Sequence, residues 1–136
     1  MGKKQNILGN KTEVEIAEFL RGKGYWALIV QKGPNGQPFD IIAGREDVTW
    51  YIDAKHLEGD KVSFPFDRIE PNQRTSMGYA RNFALIKRLG FVIKWERDNS
   101  RLFYLSYDKL IELEKKGFKS VKINDLEDYG EMLWKQ

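Results

Sequence analysis

The sequence predicts an α/β domain in which helices flank one central mixed sheet. Segments rich in β-branched and aromatic residues alternate with segments of helical periodicity in the order αβββαββα, and the first six elements form an αβββαβ core. The 136 residues are 41% hydrophobic, enough for one apolar core, and no Pro/Gly/Ser-rich stretch is long enough to link two domains. We therefore expect a single domain spanning residues 1–136.

The first predicted helix begins at Asn10, an N-cap residue with Glu13 three positions on, and ends at Gly22 and Gly24. Its apolar face comprises Val14, Ile16, Ala17, Phe19 and Leu20. Three strands follow at about residues 25–31, 39–43 and 49–55, because β-branched and aromatic residues are enriched there and turn residues separate them.

A second helix is predicted from Pro71, which suits a first helical turn, to about Leu89, with Gly90 as its stop. Its candidate core residues are Met77, Ala80, Phe83, Ala84 and Leu89. Strands at about 91–96 and 101–105 flank a hairpin turn at 97–100, and an amphipathic helix covers 107–116. In the tail, a short strand at 120–123 precedes a segment from Asn124 for which a further helix is one interpretation.

Composition excludes several classes of function. The chain has no cysteine, which rules out disulfides, thiolate zinc sites and cysteine nucleophiles and is compatible with a reducing compartment. No segment has the apolar length of a signal peptide core or a membrane span, so we expect a cytoplasmic protein without membrane association. The net charge of +3 is compatible with a polyanionic partner but is also common among other proteins.

The segment Asp53-Ala54-Lys55 places an acid and an amine on one face of a predicted strand. Side chains alternate along a strand, so Asp53 and Lys55 emerge together, about 7 Å apart, while Trp50, Ile52 and Ala54 point to the other face. Asp40 precedes Asp53 by thirteen residues. On these residues alone, a surface ion pair with Asp40 as a turn residue is the favoured interpretation.

The functional interpretation is a site for metal-dependent phosphodiester cleavage. Mg²⁺ prefers oxygen ligands, and Mn²⁺ is expected to substitute for it; Asp40, Asp53 and the carbonyl of Ala54 would leave positions for a phosphate oxygen and a nucleophilic water. Lys55 would hold that water or offset charge in the transition state. We expect Lys55 to act as a stabiliser rather than a base, because an ammonium beside carboxylates tends to keep its proton.

Glu13 is an unusual charge for its position. Its neighbours on the helix are Ile16, Ala17 and Leu20, so its carboxylate lies on the buried stripe, where a charge needs a partner. A capping box with Asn10 and a role facing a metal are both consistent with this position. Glu15 and Glu18 fall on the other side of the helix and are expected to be solvated.

The order Glu13, Asp40, Asp53-x-Lys55 resembles that of the PD-(D/E)xK nuclease superfamily, and the spacing from Glu13 to Gly24-Tyr25 resembles that of archaeal Holliday junction resolvases. Downstream segments are similar to RecU-type resolvases of bacteria and phages. They are Val62-Ser63-Phe64-Pro65-Phe66, Ile69, Asn72-Gln73, Met77, Phe91-Val92-Ile93, Phe103-Tyr104-Leu105 and Asp108-Lys109-Leu110. The resemblance covers roughly residues 10 to 113.

This resemblance implies a restriction-endonuclease-like fold and a metal-dependent endonuclease that resolves Holliday (four-way) junctions as a homodimer in DNA recombination and repair. A phage-encoded origin is among its implications. It implies that Gln73 supports Lys55 or the substrate phosphate, and that Glu13 binds the metal through water or orients that water. RecU proteins carry a long stalk between their first strands, whereas only residues 32–37 occupy that place here. Several relatives have glutamate at the position of Asp53, which is also a hard oxygen ligand.

Basic residues are distributed so that several could follow a duplex groove. The candidate DNA contacts are Lys11, Lys32, Lys61, Arg68, Arg74 and Arg81. Contacts of this kind are to phosphates, so binding should be independent of sequence and fall steeply with salt.

Two alternative functions stay open. One is a PD-(D/E)xK nuclease acting on other duplex or branched DNA in restriction or repair, which the missing stalk favours. The other is a non-catalytic DNA-binding domain with the nuclease fold. His56 is interpreted as a polar residue at the strand exit, and Trp26, Trp50 and Trp95 as core residues rather than base-stacking platforms.

Overall fold

A mixed β-sheet with helices on both faces forms the centre of the molecule. The computed structural model describes the backbone of residues 2–31, 39–82, 88–96 and 101–135, and side chains from residue 11 to residue 134 within these ranges. The helices are α1 (Gly2–Gly22), α2 (Pro71–Ala80), α3 (Tyr107–Lys115) and α4 (Leu126–Tyr129). The strands are β1 (Trp26–Ile29), β2 (Ile41–Arg45), β3 (Val48–Leu57), β4 (Ser63–Pro65), β5 (Arg88–Trp95), β6 (Arg101–Ser106), β7 (Ser120–Lys122) and β8 (Glu131–Lys135).

Within the described residues, six strands form the main sheet in the order β1-β2-β3-β5-β6-β8. The β3–β5 pair is parallel and every other pair in this sheet is antiparallel, while β4 and β7 form a separate antiparallel pair. The predicted α/β class with a central mixed sheet flanked by helices is therefore confirmed. No helix in the described ranges is long and apolar enough to cross a membrane.

Side-chain alternation divides the core into two layers. Trp50, Ile52 and Val92 pack with the apolar stripe of α1, whereas Leu57 and Phe91 belong to the layer that contains α2 and α3. Because successive residues of β3 face opposite sides, Asp53 and Lys55 project toward the second layer. The predicted faces of this strand are confirmed.

The first helix begins earlier than its sequence predicts. Asn10 lies inside α1, so the prediction that it caps the helix is wrong, and with it the interpretation of Glu13 as the acid of a capping box. Asparagine inside a helix costs only about 0.7 kcal/mol relative to alanine, so it does not force a helix to start. The predicted end at Gly22 is confirmed, and Gly24 adopts a φ of +89°, which favours glycine.

The second helix is shorter than predicted. It ends at Ala80, and Leu89 belongs to β5, so the prediction that Leu89 is a helical core residue is wrong. Gly90 is not a helix stop but a strand residue, where an added Cβ would clash with the backbone of Leu105 and Ser106. Phe83 and Ala84, the hairpin turn at 97–100 and the loop at 32–37 lie outside the described residues.

The C-terminal region contains one strand that the sequence pattern did not predict. The strand at Ser120–Lys122 is confirmed, and helix α4 begins at Leu126 rather than at Asn124. Strand β8 then pairs with β6 and completes the sheet on that side within the described residues.

Candidate active site

The register of β2 on β3 brings two carboxylates together. Ile41 lies opposite Ile52, so Asp40, one residue earlier, falls beside Asp53 in the antiparallel arrangement. The Asp40 backbone N–H donates to the Ile52 carbonyl at 2.9 Å, and Oδ2 of Asp40 accepts from the Ala54 N–H at 2.8 Å. Both bonds hold the Asp40 side chain against β3.

Asp53 is buried, with only 1% of its surface exposed. Burial, followed by the neighbouring charge of Asp40, raises the pKa of Asp53 from 3.8 to about 8 even though Lys55 opposes the shift. Among the described residues, its Oδ2 atom is buried and has no hydrogen-bond partner. A buried carboxylate oxygen of this kind is costly, and a divalent cation would remove the cost.

The carbonyl of Ala54 is directed to the same edge of β3 as Asp40. In an extended strand the N–H and C=O of one residue point to the same side, and the Ala54 N–H points at Asp40 Oδ2. The pairing of β2 with β3 starts at Ile41 and Ile52, so no residue of β2 lies opposite Ala54. Asp40, Asp53 and the Ala54 carbonyl thus present three oxygen atoms of the type that Mg²⁺ prefers as ligands.

Lys55 is held by the start of α2. Its Nζ donates to Gln73 Oε1 at 2.8 Å and to the Arg68 carbonyl at 3.3 Å. The same Gln73 oxygen accepts from the Glu70 backbone N–H at 3.1 Å, so one side chain both closes the first turn of α2 and orients the lysine.

Two opposing effects act on the pKa of Lys55. Burial lowers this pKa from its usual value, and the effect outweighs the opposing attraction of Asp53, Asp40 and Glu70. The sequence argument considered only the nearby carboxylates and could not include burial. The expectation that the ammonium keeps its proton stays a prediction.

Glu13 occupies the buried face of α1, as expected, with 6% of its surface exposed. It lies on the helix that packs on β1, β2 and β3. In the described part of the chain, no three His, Asp or Glu side chains are grouped so that they could hold a metal. A direct role for Glu13 therefore stays a prediction, and Asp40 and Asp53 are the carboxylates that lie together.

The predicted DNA-contacting residues fall into three groups. Lys61 and Arg68 are exposed and, with Lys55, line a cleft of about 760 Å³, while Lys11 is exposed on α1. Lys32 lies outside the described residues. The remaining two form ion pairs with carboxylates of α3: Arg74 with Glu114 at 2.7 Å, and Arg81 with Asp108.

Sequence reasoning missed two charges near these elements. The negative charge of Glu70, the residue before α2, favours a higher pKa for both Asp53 and Lys55. The sequence signal for it is an acid just before a helix that begins with proline. Glu15, expected to be solvated, instead pairs at 2.5 Å with Lys94, a buried lysine on β5. Lys94 follows the apolar run Phe91-Val92-Ile93, and a charge inside such a strand is the signal that could have found it.

The element order, the mixed sheet and the helices on both faces are those of the restriction-endonuclease-like fold. The structure is similar to that of Hjc, a Holliday junction resolvase from the archaeal hyperthermophile Archaeoglobus fulgidus, with a TM-score of 0.60, 20% sequence identity and coverage of 90% of this chain and 93% of that one. No protein-family model matches the sequence, and no curated protein matches it. This likeness supports the PD-(D/E)xK prediction at the level of the fold, whereas the RecU-like and phage assignments stay predictions.

Proposed function

We propose that this protein is a Mg²⁺-dependent endonuclease that hydrolyses phosphodiester bonds in DNA, with Mn²⁺ able to replace Mg²⁺. The observation that carries the proposal is the buried Asp53, whose pKa is raised to about 8 beside Asp40. Two carboxylates forced together in a buried place cost stability unless a cation neutralises them. Such a destabilising arrangement is expected at a site where the cation takes part in the reaction.

Asp40, Asp53 and the Ala54 carbonyl would hold the cation. When bound, it would neutralise charge on the scissile phosphate and make a nearby water more acidic. The bond from Ala54 N–H to Asp40 Oδ2 keeps one Asp40 oxygen fixed on β3, so that side chain is oriented before any ligand arrives. Oriented ligands reduce the reorganisation that binding requires.

Lys55 would contact the reacting phosphate or the attacking water. Its hydrogen bond to Gln73 fixes the direction of Nζ, and burial lowers its pKa, so a neutral amine is more accessible than for a lysine in water. A neutral amine can accept a proton from water, and a charged one can stabilise the transition state. Glu13 would orient water from α1.

The substrate that we propose is the four-way junction, cut symmetrically by a homodimer. The similar fold of a Holliday junction resolvase supports this choice. Isologous pairing of two copies would give two equivalent sites, as symmetric strand cleavage needs. Exposed Lys61 and Arg68 beside Lys55 provide a path for the phosphate backbone.

A second candidate is cleavage of other branched or duplex DNA. The sequence feature that favours it is the short loop at 32–37, where a RecU-type stalk would stand. Substrate choice therefore separates the two candidates.

The test compares labelled four-way junction, nicked duplex and linear duplex, each with Mg²⁺ or EDTA. Paired cuts in the junction alone, lost in EDTA and in Asp53→Asn and Lys55→Ala, are the expected result. Cleavage of all three substrates would favour the second candidate. Binding without cleavage in Mg²⁺ or in Mn²⁺ would identify a non-catalytic DNA-binding domain and overturn the proposed function.

A further inference from the structure

Strand β1 displays two large apolar side chains to solvent. Trp26 is 62% exposed and Leu28 is 48% exposed, so the interpretation of Trp26 as a core residue is wrong. Ala27, between them, packs in the α1 layer, and alternation therefore turns Trp26 and Leu28 to the opposite face of the sheet. That face is the one that carries Asp53 and Lys55.

Trp26 and Leu28 lie along β1 in the direction of Asp40 and Asp53. Trp26 lies opposite Gly44 and Leu28 opposite Ile42, and the Val30 N–H donates to the Asp40 carbonyl at 2.9 Å. Each two-residue step is about 7 Å, so Leu28 lies about 7 Å and Trp26 about 14 Å along the strand direction from the level of Asp40. Beside Trp26, Gly44 has no side chain.

The outer edge of β1, at the end of the described sheet, carries a feature that opposes pairing with another strand. The Val30 N–H points to β2, so by alternation the carbonyl of Ala27 points away from β2, and Arg21 donates to that carbonyl at 2.8 Å. A charged side chain on an edge strand opposes pairing with a second strand. A second copy adding its own β1 here would bring two Arg21 side chains together.

The charge around Trp26 suits a polyanion. Arg21 is exposed at the strand edge and forms no ion pair with any carboxylate in the described parts of the chain. Arg45 is also exposed, but alternation turns it to the α1 face, where its guanidinium lies 4.6 Å from the Tyr25 ring and donates to the Lys23 carbonyl. Glu46 and Asp47, exposed in the following turn, are the nearby acids. An exposed guanidinium at the strand edge and an exposed indole match the combination that binds single-stranded nucleic acid.

We infer that Trp26 and Leu28 form a stacking surface for unpaired bases of a branched DNA substrate, with Arg21 contacting its phosphates. This inference rests on the proposed function, because the surface shares its sheet face with the candidate active site. At a rise of 3.4 Å per nucleotide, the distance of about 14 Å corresponds to about four nucleotides. The surface would therefore favour DNA with unpaired bases about that far from the cleaved bond.

The test measures binding by fluorescence anisotropy in EDTA, where no hydrolysis occurs. The probes are a fork with a short unpaired stretch and a fully paired duplex of equal length. Loss of one stacked base costs about 1–3 kcal/mol, so Trp26→Ala should weaken fork binding roughly 5- to 100-fold and leave duplex binding within about 2-fold. Trp26→Phe should keep most of the fork affinity.

Two further variants complete the design. Trp134→Ala is the matched control, because Trp134 is 41% exposed on β8 at the other end of the sheet, and it should leave both affinities unchanged. Arg21→Gln should weaken the binding of both probes and reduce the salt dependence of binding by about one counterion.

Three results would overturn the inference: wild-type fork affinity in Trp26→Ala, equal loss on fork and duplex, or a change from dimer to monomer in Trp26→Ala by sedimentation, which would assign the surface to a second copy. The proposed function fails separately. If the wild type binds the fork through Trp26 but never cleaves with Mg²⁺, only the nuclease proposal is wrong.

Discussion

Gln73 accepts a hydrogen bond of 2.8 Å from Lys55, which links the central strand β3 to the first turn of α2. The same amide oxygen accepts from the backbone of Glu70, so the position of the lysine depends on how this helix starts. In the proposed endonuclease, Gln73 would affect DNA cleavage through Lys55 without contacting the metal.

Gln73→Ala should lower the rate of DNA cleavage by about 10- to 100-fold, because Lys55 loses the partner that orients it. Metal affinity should change little, since Gln73 offers no ligand to Asp40 or Asp53. Single-turnover kinetics across a metal titration separate the two effects. Asn72→Ala, an exposed neighbour on the same helix, is the control, and an equal loss of rate in that variant would contradict the role of Gln73.

Stability without metal should fall as pH rises. The pKa of Asp53 is about 8 in the folded protein and 3.8 ordinarily, so between these values the folded state holds a proton that the unfolded chain has released. The stabilisation is fully present below 3.8 and is lost as pH rises through about 8. Asp53→Asn should lack this loss and gain stability relative to wild type across the interval.

Urea unfolding in EDTA at a series of pH values measures this difference. The lowered pKa of Lys55 contributes a slope of the opposite sign, and Lys55→Met removes it as a control. If wild type and Asp53→Asn give parallel stability curves, Asp53 titrates normally and the electrostatic account of the site is wrong.

Mg²⁺ or Mn²⁺ should raise the melting temperature, because only the folded state brings Asp40 and Asp53 together. The shift should grow as pH rises toward 8, since protons compete with the metal for Asp53. Calorimetric scans of wild type and of the Asp40→Asn/Asp53→Asn double variant test this. An equal shift in both proteins would place the metal elsewhere.

The ion pair between Lys94 and Glu15 should contribute to stability rather than to cleavage. Glu15→Gln removes the nearer carboxylate of Lys94, at 2.5 Å, and leaves only Glu96 at 3.6 Å beside an ammonium whose residue is 4% exposed, at a cost of about 1–3 kcal/mol. Adding Lys94→Met should recover most of that loss, because an apolar side chain fits the α1 layer. A double-mutant cycle by denaturant unfolding measures the coupling, and additive effects would show that the pair is energetically independent.

The sequence predicted those parts of the fold that depend on local periodicity. The two faces of β3 follow from alternation, and the end of α1 follows from Gly22 and Gly24. The approach of Asp40 to Asp53 depends on strand register, which the thirteen-residue spacing permits but does not specify.

Other features depend on contacts between distant segments. Arg74 pairs with Glu114, forty residues away in the sequence. The local sequence around Arg74 therefore could not show that its guanidinium already has a carboxylate partner. The exposure of Trp26 results from β1 lying at the end of the described sheet, which no local pattern encodes. The burial that lowers the pKa of Lys55 arises from the packing of α2 against β3, again a tertiary effect.

The most direct test of the account is the rate of DNA cleavage by wild type and Asp53→Asn, measured side by side on a four-way junction with Mg²⁺ and with EDTA. The account predicts cleavage by wild type with Mg²⁺, none in EDTA, and a loss of at least about 100-fold in Asp53→Asn, since a carboxylate ligand is removed from the metal. Cleavage by Asp53→Asn at the wild-type rate, or undiminished cleavage in EDTA, would contradict it.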